Sequence, residues 1–459
     1  MDPVSASPHT PPPSTLADET RRLTRLAWPI VVGQVGLVSM GLVDVAVCGS
    51  VSGEVLAAVG AGRIFSFGIV LFGFGALRGI EPIFAQAWGA GERNRMGSAL
   101  AQCMAFAVAL SLPLAALHML CGPALTLLGQ PPEAIPGAHE YAVISAFGVP
   151  AALVFTGLTA WLQGQGRVRA PMVVVAVGNV LNLILDLLLV RGAALPGGLD
   201  VPALGAAGCA WASNAVNYGG ALMLLWLSTD GVGAARRTPW STVFSKAAWR
   251  KMLGLGLPVG VQTGLEVWAF NVAGLIVGTL GAAALGAHVI AMQLISLTFM
   301  VPFGVGAAAS ARVGNLVGAG HKWRSTGLIA VAMGASWMAV SAVSLLLFGD
   351  TVVQLFTRDA AVVAVTLTLL PVAAVFQVAD GIQAVAFGVL RGAGDTRVPA
   401  LVNVLAYWVL GIPVGCYVGV HLTGEPWGVW SGLAVGLTVV SVLMMGRMWT
   451  VSAKRTVRV

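Results

Sequence analysis

Four carboxylates, Asp44, Asp186, Glu266 and Asp380, stand inside long apolar stretches of this 459-residue chain. An ionised carboxylate at bilayer depth costs about 2.5–3.5 kcal/mol on insertion scales, so such residues face a cavity or a partner and mark a functional site by default. Each acid has polar company at helical spacing. Asn179, Asn182 and Asp186 stand at i, i+3 and i+7, and Gln377, Asp380 and Gln383 step by three. Gln262, Glu266 and Phe270 step by four, and Ser213 and Asn214 adjoin in another apolar stretch. Carbonyl, hydroxyl and carboxylate oxygens are hard ligands that suit a small cation. A carboxylate in a dry site can instead hold a proton. Either use couples movement of a solute to an ion gradient. No Lys or Arg is expected at the depth of the four acids, with Arg63 and Arg191 at span ends. A hydrogen-bonded structural carboxylate is the plain alternative for any one acid, and a weaker one for all four together.

The elements that must position these residues are membrane helices. Only 9% of the chain is charged and 57% is hydrophobic, whereas a soluble domain carries about 25% charged residues. Leu253 to Gly278 is long enough to cross a bilayer, which takes roughly 20 apolar residues. In it Gly256, Gly260 and Gly264 form a smooth ridge for close helix packing. Glu266 lies roughly 200° around the helix from Gly264, so the acid faces away from the ridge, into an interior space. Twelve spans are expected, near 26–50, 57–86, 98–121, 140–162, 172–191, 205–228, 253–280, 286–312, 326–348, 362–390, 400–420 and 427–449. Most of the 25 Lys and Arg residues fall in alternate connections, which places both termini in the cytoplasm by the positive-inside rule. Residues 1–25 read as a disordered cytoplasmic tail rather than a signal peptide, having no basic n-region or apolar h-region. Residues 450–459 read as a second cytoplasmic tail. Many tryptophans fall near span ends as interfacial anchors. The five cysteines read as small apolar packing residues.

The chain repeats itself. LAWP (26–29) answers LGLP (255–258), and WGAGER (88–93) answers VGAGHK (317–322), both at an offset of 229. LQGQGRVRAP (162–171) answers LRGAGDTRVP (390–399) at an offset of 228. Two six-helix halves, 26–228 and 253–449, therefore share one orientation, joined by a cytoplasmic linker, 229–252. Such parallel repeats are a transporter arrangement. The acids do not repeat: Glu266 maps back to Leu37, Asp44 forward to Ala273, Asp380 back to Ala152 and Asp186 forward to Val414. Each half thus keeps its own negative site.

Enzyme signatures are missing. The six histidines are dispersed, and there is no HExxH, nucleophile elbow or P-loop. The net charge of +7 reflects the basic loops and does not point to nucleic acid. A membrane enzyme or receptor would need a catalytic cluster or a large extramembrane domain.

On several motifs the chain resembles the multidrug and toxic compound extrusion (MATE) family, its NorM-like branch most closely. They are Pro29, Asp44 and Gly49 in the first span, AQAWGAGE (85–92), the Leu-Pro and Glu266 of the seventh span, ARVGNLVGAG (311–320) and, most specific, FQVADGIQAVAFGVLRGAGDTRVP (376–399). The resemblance covers residues 22–450. It implies an all-α integral membrane protein of the bacterial inner membrane, with twelve transmembrane helices in two pseudo-symmetric six-helix bundles arranged as a V. It implies antiport of amphipathic, often cationic organic compounds against sodium ions or protons by alternating access, with no enzyme activity and no cofactor beyond a coupling Na+. Asp44, Asn182 and Asp186 look like the family's cation site, with Ser213 where relatives often have Thr. Glu266 and Asp380 look like the acidic pair of the C-terminal half. Phe376 departs from the Tyr that some sodium-driven relatives carry. Gln262, Gln377, Trp268, Phe270, Met292, Phe299 and Met300 are the expected substrate contacts, and a monomer in the lipid bilayer is expected. A flippase for a lipid-linked oligosaccharide is the alternative. Its pyrophosphate substrate would call for basic residues in depth.

Overall fold

A computed structural model describes residues 12, 15–195, 199–454 and 458. It is helical nearly throughout. The helices are α1 (Leu16–Gly49), α2 (Gly53–Gly79), α3 (Glu81–Gly89), α4 (Arg93–His118), α5 (Cys121–Leu127), α6 (Ala134–Gly164), α7 (Arg169–Leu189), α8 (Gly205–Leu227), α9 (Thr229–Arg236), α10 (Trp240–Val243) and α11 (Lys246–Gly278). After them come α12 (Ala282–Gly318), α13 (Arg324–Gln354), α14 (Ala360–Gly392), α15 (Arg397–Leu405), α16 (Ile412–Cys416) and α17 (Pro426–Ala453). Between α7 and α8, β1 (Ala193–Leu195) and β2 (Leu199–Val201) make a small antiparallel hairpin. Around α16 the chain widens into π-helical turns over Ala406–Gly411 and Tyr417–Thr423.

Among the described residues, eleven helices or continuous helical runs are long and apolar enough to cross a membrane. The expected twelfth, α8, has 23 residues, enough for a crossing, but Ser213, Asn214 and Asn217 dilute its apolar character.

One expectation needs correction. The tail read as disordered through residue 25 is helical from Leu16 onward. Thr15 caps that start: its Oγ1 accepts from the Asp18 N–H at 3.2 Å, the arrangement that satisfies a free helix N-terminus. Further along, the Glu19 side chain is buried. The tail reading for residues 1–11, 13 and 14 lies outside the described residues, as does Arg455. The linker 229–252 is also largely helical, with Trp240 stacked on Phe244 and Phe244 on Trp249.

The chain divides into two compact units: residues 1–31, 85–91 and 261–459, and residues 32–84 and 92–260. In the second, the glycine ridge of α11 does what its spacing predicts. A Cβ at Gly256 would run into the Ala76 carbonyl of α2, so only glycine permits this approach. In the first, α12 and α14 cross as closely, with Gly388 against the backbone of Gly306. Small residues at such crossings let membrane helices gain packing that lipid cannot supply.

Candidate functional site

The two pairs of acids form two separate clusters, one in each unit. In the second unit, α1 carries Asp44 and α7 carries Asn182 and Asp186. The last two are one helical turn apart and completely buried, whereas Val180, Leu183 and Ile184 of the same helix are exposed. The apolar face of α7 thus turns outward and its polar face inward, as amphipathic spacing requires. Asp44 is buried beside them, and the Asn182 amide neighbours its carboxylate.

One oxygen each of Asp44 and Asp186 and the sulfur of Cys209 on α8 lie within 4.8 Å of one another. Oδ1 of Asp44, both carboxylate oxygens of Asp186 and both amide atoms of Asn182 have no hydrogen-bond partner among the described residues. Buried polar atoms are nearly always paired in native structures. This convergence makes an oxygen-lined cradle whose chemistry suits a small cation or a shared proton. Ser213, on the same helix as Cys209, is half-buried. Its neighbour Asn214 is committed elsewhere, donating to the Ile144 carbonyl at 2.7 Å.

Two members of this cluster were not expected from sequence. Arg63 on α2 brings Nη1 to 4.0 Å from Asp44 Oδ2 and also donates to the Gly41 carbonyl. The expectation of no basic residue at the depth of the acids is therefore overturned. The helix begins at Gly53, so Arg63 sits about 15 Å along it at 1.5 Å per residue. A span taken from residue 57 leaves Arg63 close to its end. Cys209 was read as packing, and its thiol does lie against Cys48, but it also lines the acidic cradle.

In the first unit, Glu266 on α11 is held by amides. Its Oε2 accepts from Gln262 Nε2 at 3.2 Å and from Asn403 Nδ2 of α15 at 3.4 Å, with Gln383 in reach from α14. Asp380, also on α14, is buried within electrostatic range of Glu266. Tyr407 is completely buried and near both acids, and its hydroxyl has no partner among the described residues. It comes from the widened turn after α15, whose Trp408 ties the segment to α11 through the Leu265 carbonyl at 3.1 Å. Such π-turns occur often at functional sites, but no periodicity in the sequence announces them.

The remaining residues scatter. Phe270 meets Phe376 and Tyr407 edge-on, with centroids 5.8 and 5.6 Å apart. Gln377 donates to Thr298 at 3.1 Å rather than to an acid. Met292 packs with the apolar core of this unit, Phe299 lies against Phe303, and Trp268 is exposed.

A family model described as MatE matches twice, at residues 29–188 and 258–417. The second match starts 229 residues after the first (258 against 29), the offset of the sequence repeat. The chain is 33% identical over 455 residues to a probable multidrug resistance protein NorM of Burkholderia pseudomallei (strain K96243), covering 97% of this chain and 96% of that one. It is also 33% identical over 456 residues to the multidrug resistance protein PmpM of Pseudomonas aeruginosa PAO1, covering 96% and 93%. Its fold matches the crystal structure of the eukaryotic MATE transporter AtDTX14 with a TM-score of 0.84 at 21% identity, covering 96% of this chain and 99% of that one.

Proposed function

This chain belongs to the MatE family, and from that premise we propose that it is a multidrug efflux transporter, an antiporter that exchanges amphipathic organic cations for a monovalent cation. The observation that carries the coupling role is the Asp44–Asn182–Asp186 cradle, whose buried oxygens include several without a hydrogen-bond partner among the described residues. Two carboxylates facing one guanidinium leave one negative charge uncompensated. One sodium ion or one proton neutralises it. The entering cation pulls Asp44 of α1 and Asp186 of α7 together, and that movement is the coupling step.

The second cluster supplies charge for the exported compound. Glu266 and Asp380 attract its cationic end, and Phe270 with Tyr407 offers ring surface beside them. Cationic groups gain from both carboxylates and aromatic faces. The transporter lies in the inner membrane with both termini in the cytoplasm, as the basic loops support.

The test is efflux of a fluorescent organic cation from liposomes containing the purified protein, with a sodium and a proton gradient imposed separately. One gradient is expected to drive transport in wild type and to fail in Asp44→Asn. Full gradient-driven efflux in folded Asp44→Asn would overturn the coupling role. Absence of transport under either gradient in folded wild type would overturn the antiporter reading.

A further inference from the structure

Cys209 gives the acidic cradle a sulfur ligand, which a hard sodium ion does not use. We infer that Asp44, Asp186 and Cys209 form a binding site for a thiophilic divalent cation of the zinc and cadmium class. The site shares residues with the proposed coupling site, but the binding itself does not depend on transport.

The three ligand atoms already lie within 4.8 Å of one another. In a tetrahedral zinc site, with metal–oxygen distances of 2.0–2.2 Å and metal–sulfur of 2.3 Å, neighbouring ligand atoms are about 3.6 Å apart. Side-chain rotation of about an ångström closes that difference. A second, independent observation points to a ligand. Asp186 and Asn182 are completely buried, and neither their carboxylate oxygens nor their amide atoms have a hydrogen-bond partner among the described residues. The Asn182 carbonyl oxygen is available as the fourth ligand.

The charges balance. On binding, the Cys209 thiol gives its proton to water and a metal–sulfur bond forms. Two carboxylates and one thiolate carry three negative charges. The divalent cation and Arg63, 4.0 Å from Asp44, carry three positive ones. Thiolate ligation selects zinc-type ions over magnesium and calcium, which prefer oxygen-only sites.

The experiment is titration of the full-length purified protein with Cd2+ alone, reading the ultraviolet sulfur-to-cadmium charge-transfer band. Wild type is expected to show a saturable band at one equivalent. Cys209→Ser is expected to lose it although Cys48, Cys103, Cys121 and Cys416 remain. Cys48→Ser is expected to keep it. Asp186→Asn is expected to weaken Cd2+ binding about tenfold, the equivalent of about 1.4 kcal/mol. Thermal unfolding of each variant without metal reports folding. A band that survives Cys209→Ser, or no saturable band in wild type, would overturn the site.

Discussion

Arg312 on α12 grips Glu19 on the first turns of α1 with two parallel bonds: Nε to Oε1 at 2.7 Å and Nη2 to Oε2 at 3.1 Å. Thr326 of α13 adds a third, donating to Oε1 at 2.9 Å. Glu19 is 1% exposed and Arg312 6%. Parallel bonding of this kind fixes geometry as well as energy. It explains why the chain is helical well before the apolar run begins.

Removing Glu19 takes from the buried Arg312 guanidinium the carboxylate that it pairs with. Glu19→Ala is therefore expected to cost about 3–5 kcal/mol, whereas replacing both residues by Met is expected to recover most of that loss. Thermal unfolding of the two variants in detergent measures it. A Glu19→Ala protein as stable as wild type would show that the pair contributes nothing.

The cradle in the second unit predicts a different pattern. Asp186→Asn keeps the shape and the buried polar atoms but removes a charge. It is expected to lower cation-driven efflux about tenfold, or about 1.4 kcal/mol, with little change in thermal stability. The liposome assay and an unfolding curve on the same preparation separate the two. A large loss of stability with normal efflux would assign Asp186 a structural role.

What was legible in the sequence follows from periodicity and cost. The glycine ridge at Gly256 and Gly260 was readable because spacing by four on an apolar helix has one use, and α2 packs there. The acids were readable because a carboxylate in an apolar run is expensive. Asn182 and Asp186 share a helix face, so their meeting followed from helix geometry. Arg63 was misplaced because its meaning depends on where α2 begins, and span ends are poorly marked. Asn403 and Tyr407 were missed because they approach the acids from a different segment, Asn403 from α15 and Tyr407 from a π-turn that leaves no pattern in the residue order. Glu19 was missed because its partner is 293 positions away.

Tyr407 yields a test in which stability and activity move apart. Its hydroxyl is buried without a partner among the described residues, and an unsatisfied buried group costs about 1–3 kcal/mol. Tyr407→Phe is thus expected to leave the protein as stable or stabilise it, while lowering efflux or its cation dependence. Phe376 presents a ring without a hydroxyl in the same cluster, 5.7 Å from the Trp430 ring, so it offers the acids no phenol, whereas Tyr407 lies near both. A destabilised Tyr407→Phe with normal efflux would mean that the hydroxyl serves packing only.

The crossing of α12 and α14 is tested at Gly388. A Cβ there would meet the Gly306 backbone, which cannot rotate away as a side chain can. Gly388→Ala is expected to destabilise by the roughly 1–3 kcal/mol typical of overpacking. The shift would appear in thermal unfolding of the purified variant. An unchanged curve would mean that the two helices separate at no cost.

Arg63 sets how much charge the cradle leaves for a coupling cation. At 4.0 Å it opposes one of two carboxylates. Its side chain is 36% exposed, so screening reduces the interaction to about 1 kcal/mol or less. Arg63→Gln returns that attraction to the incoming ion. Cation affinity is then expected to rise by up to about fivefold, the equivalent of about 1 kcal/mol. Tighter binding also slows release, so turnover at saturating cation is expected to fall as affinity rises. Equilibrium sodium binding, or the pH dependence of efflux where the proton is the driving ion, reads the first effect, and initial efflux rates read the second. Lower affinity in Arg63→Gln would mean that Arg63 positions Asp44 for the ion instead of competing with it.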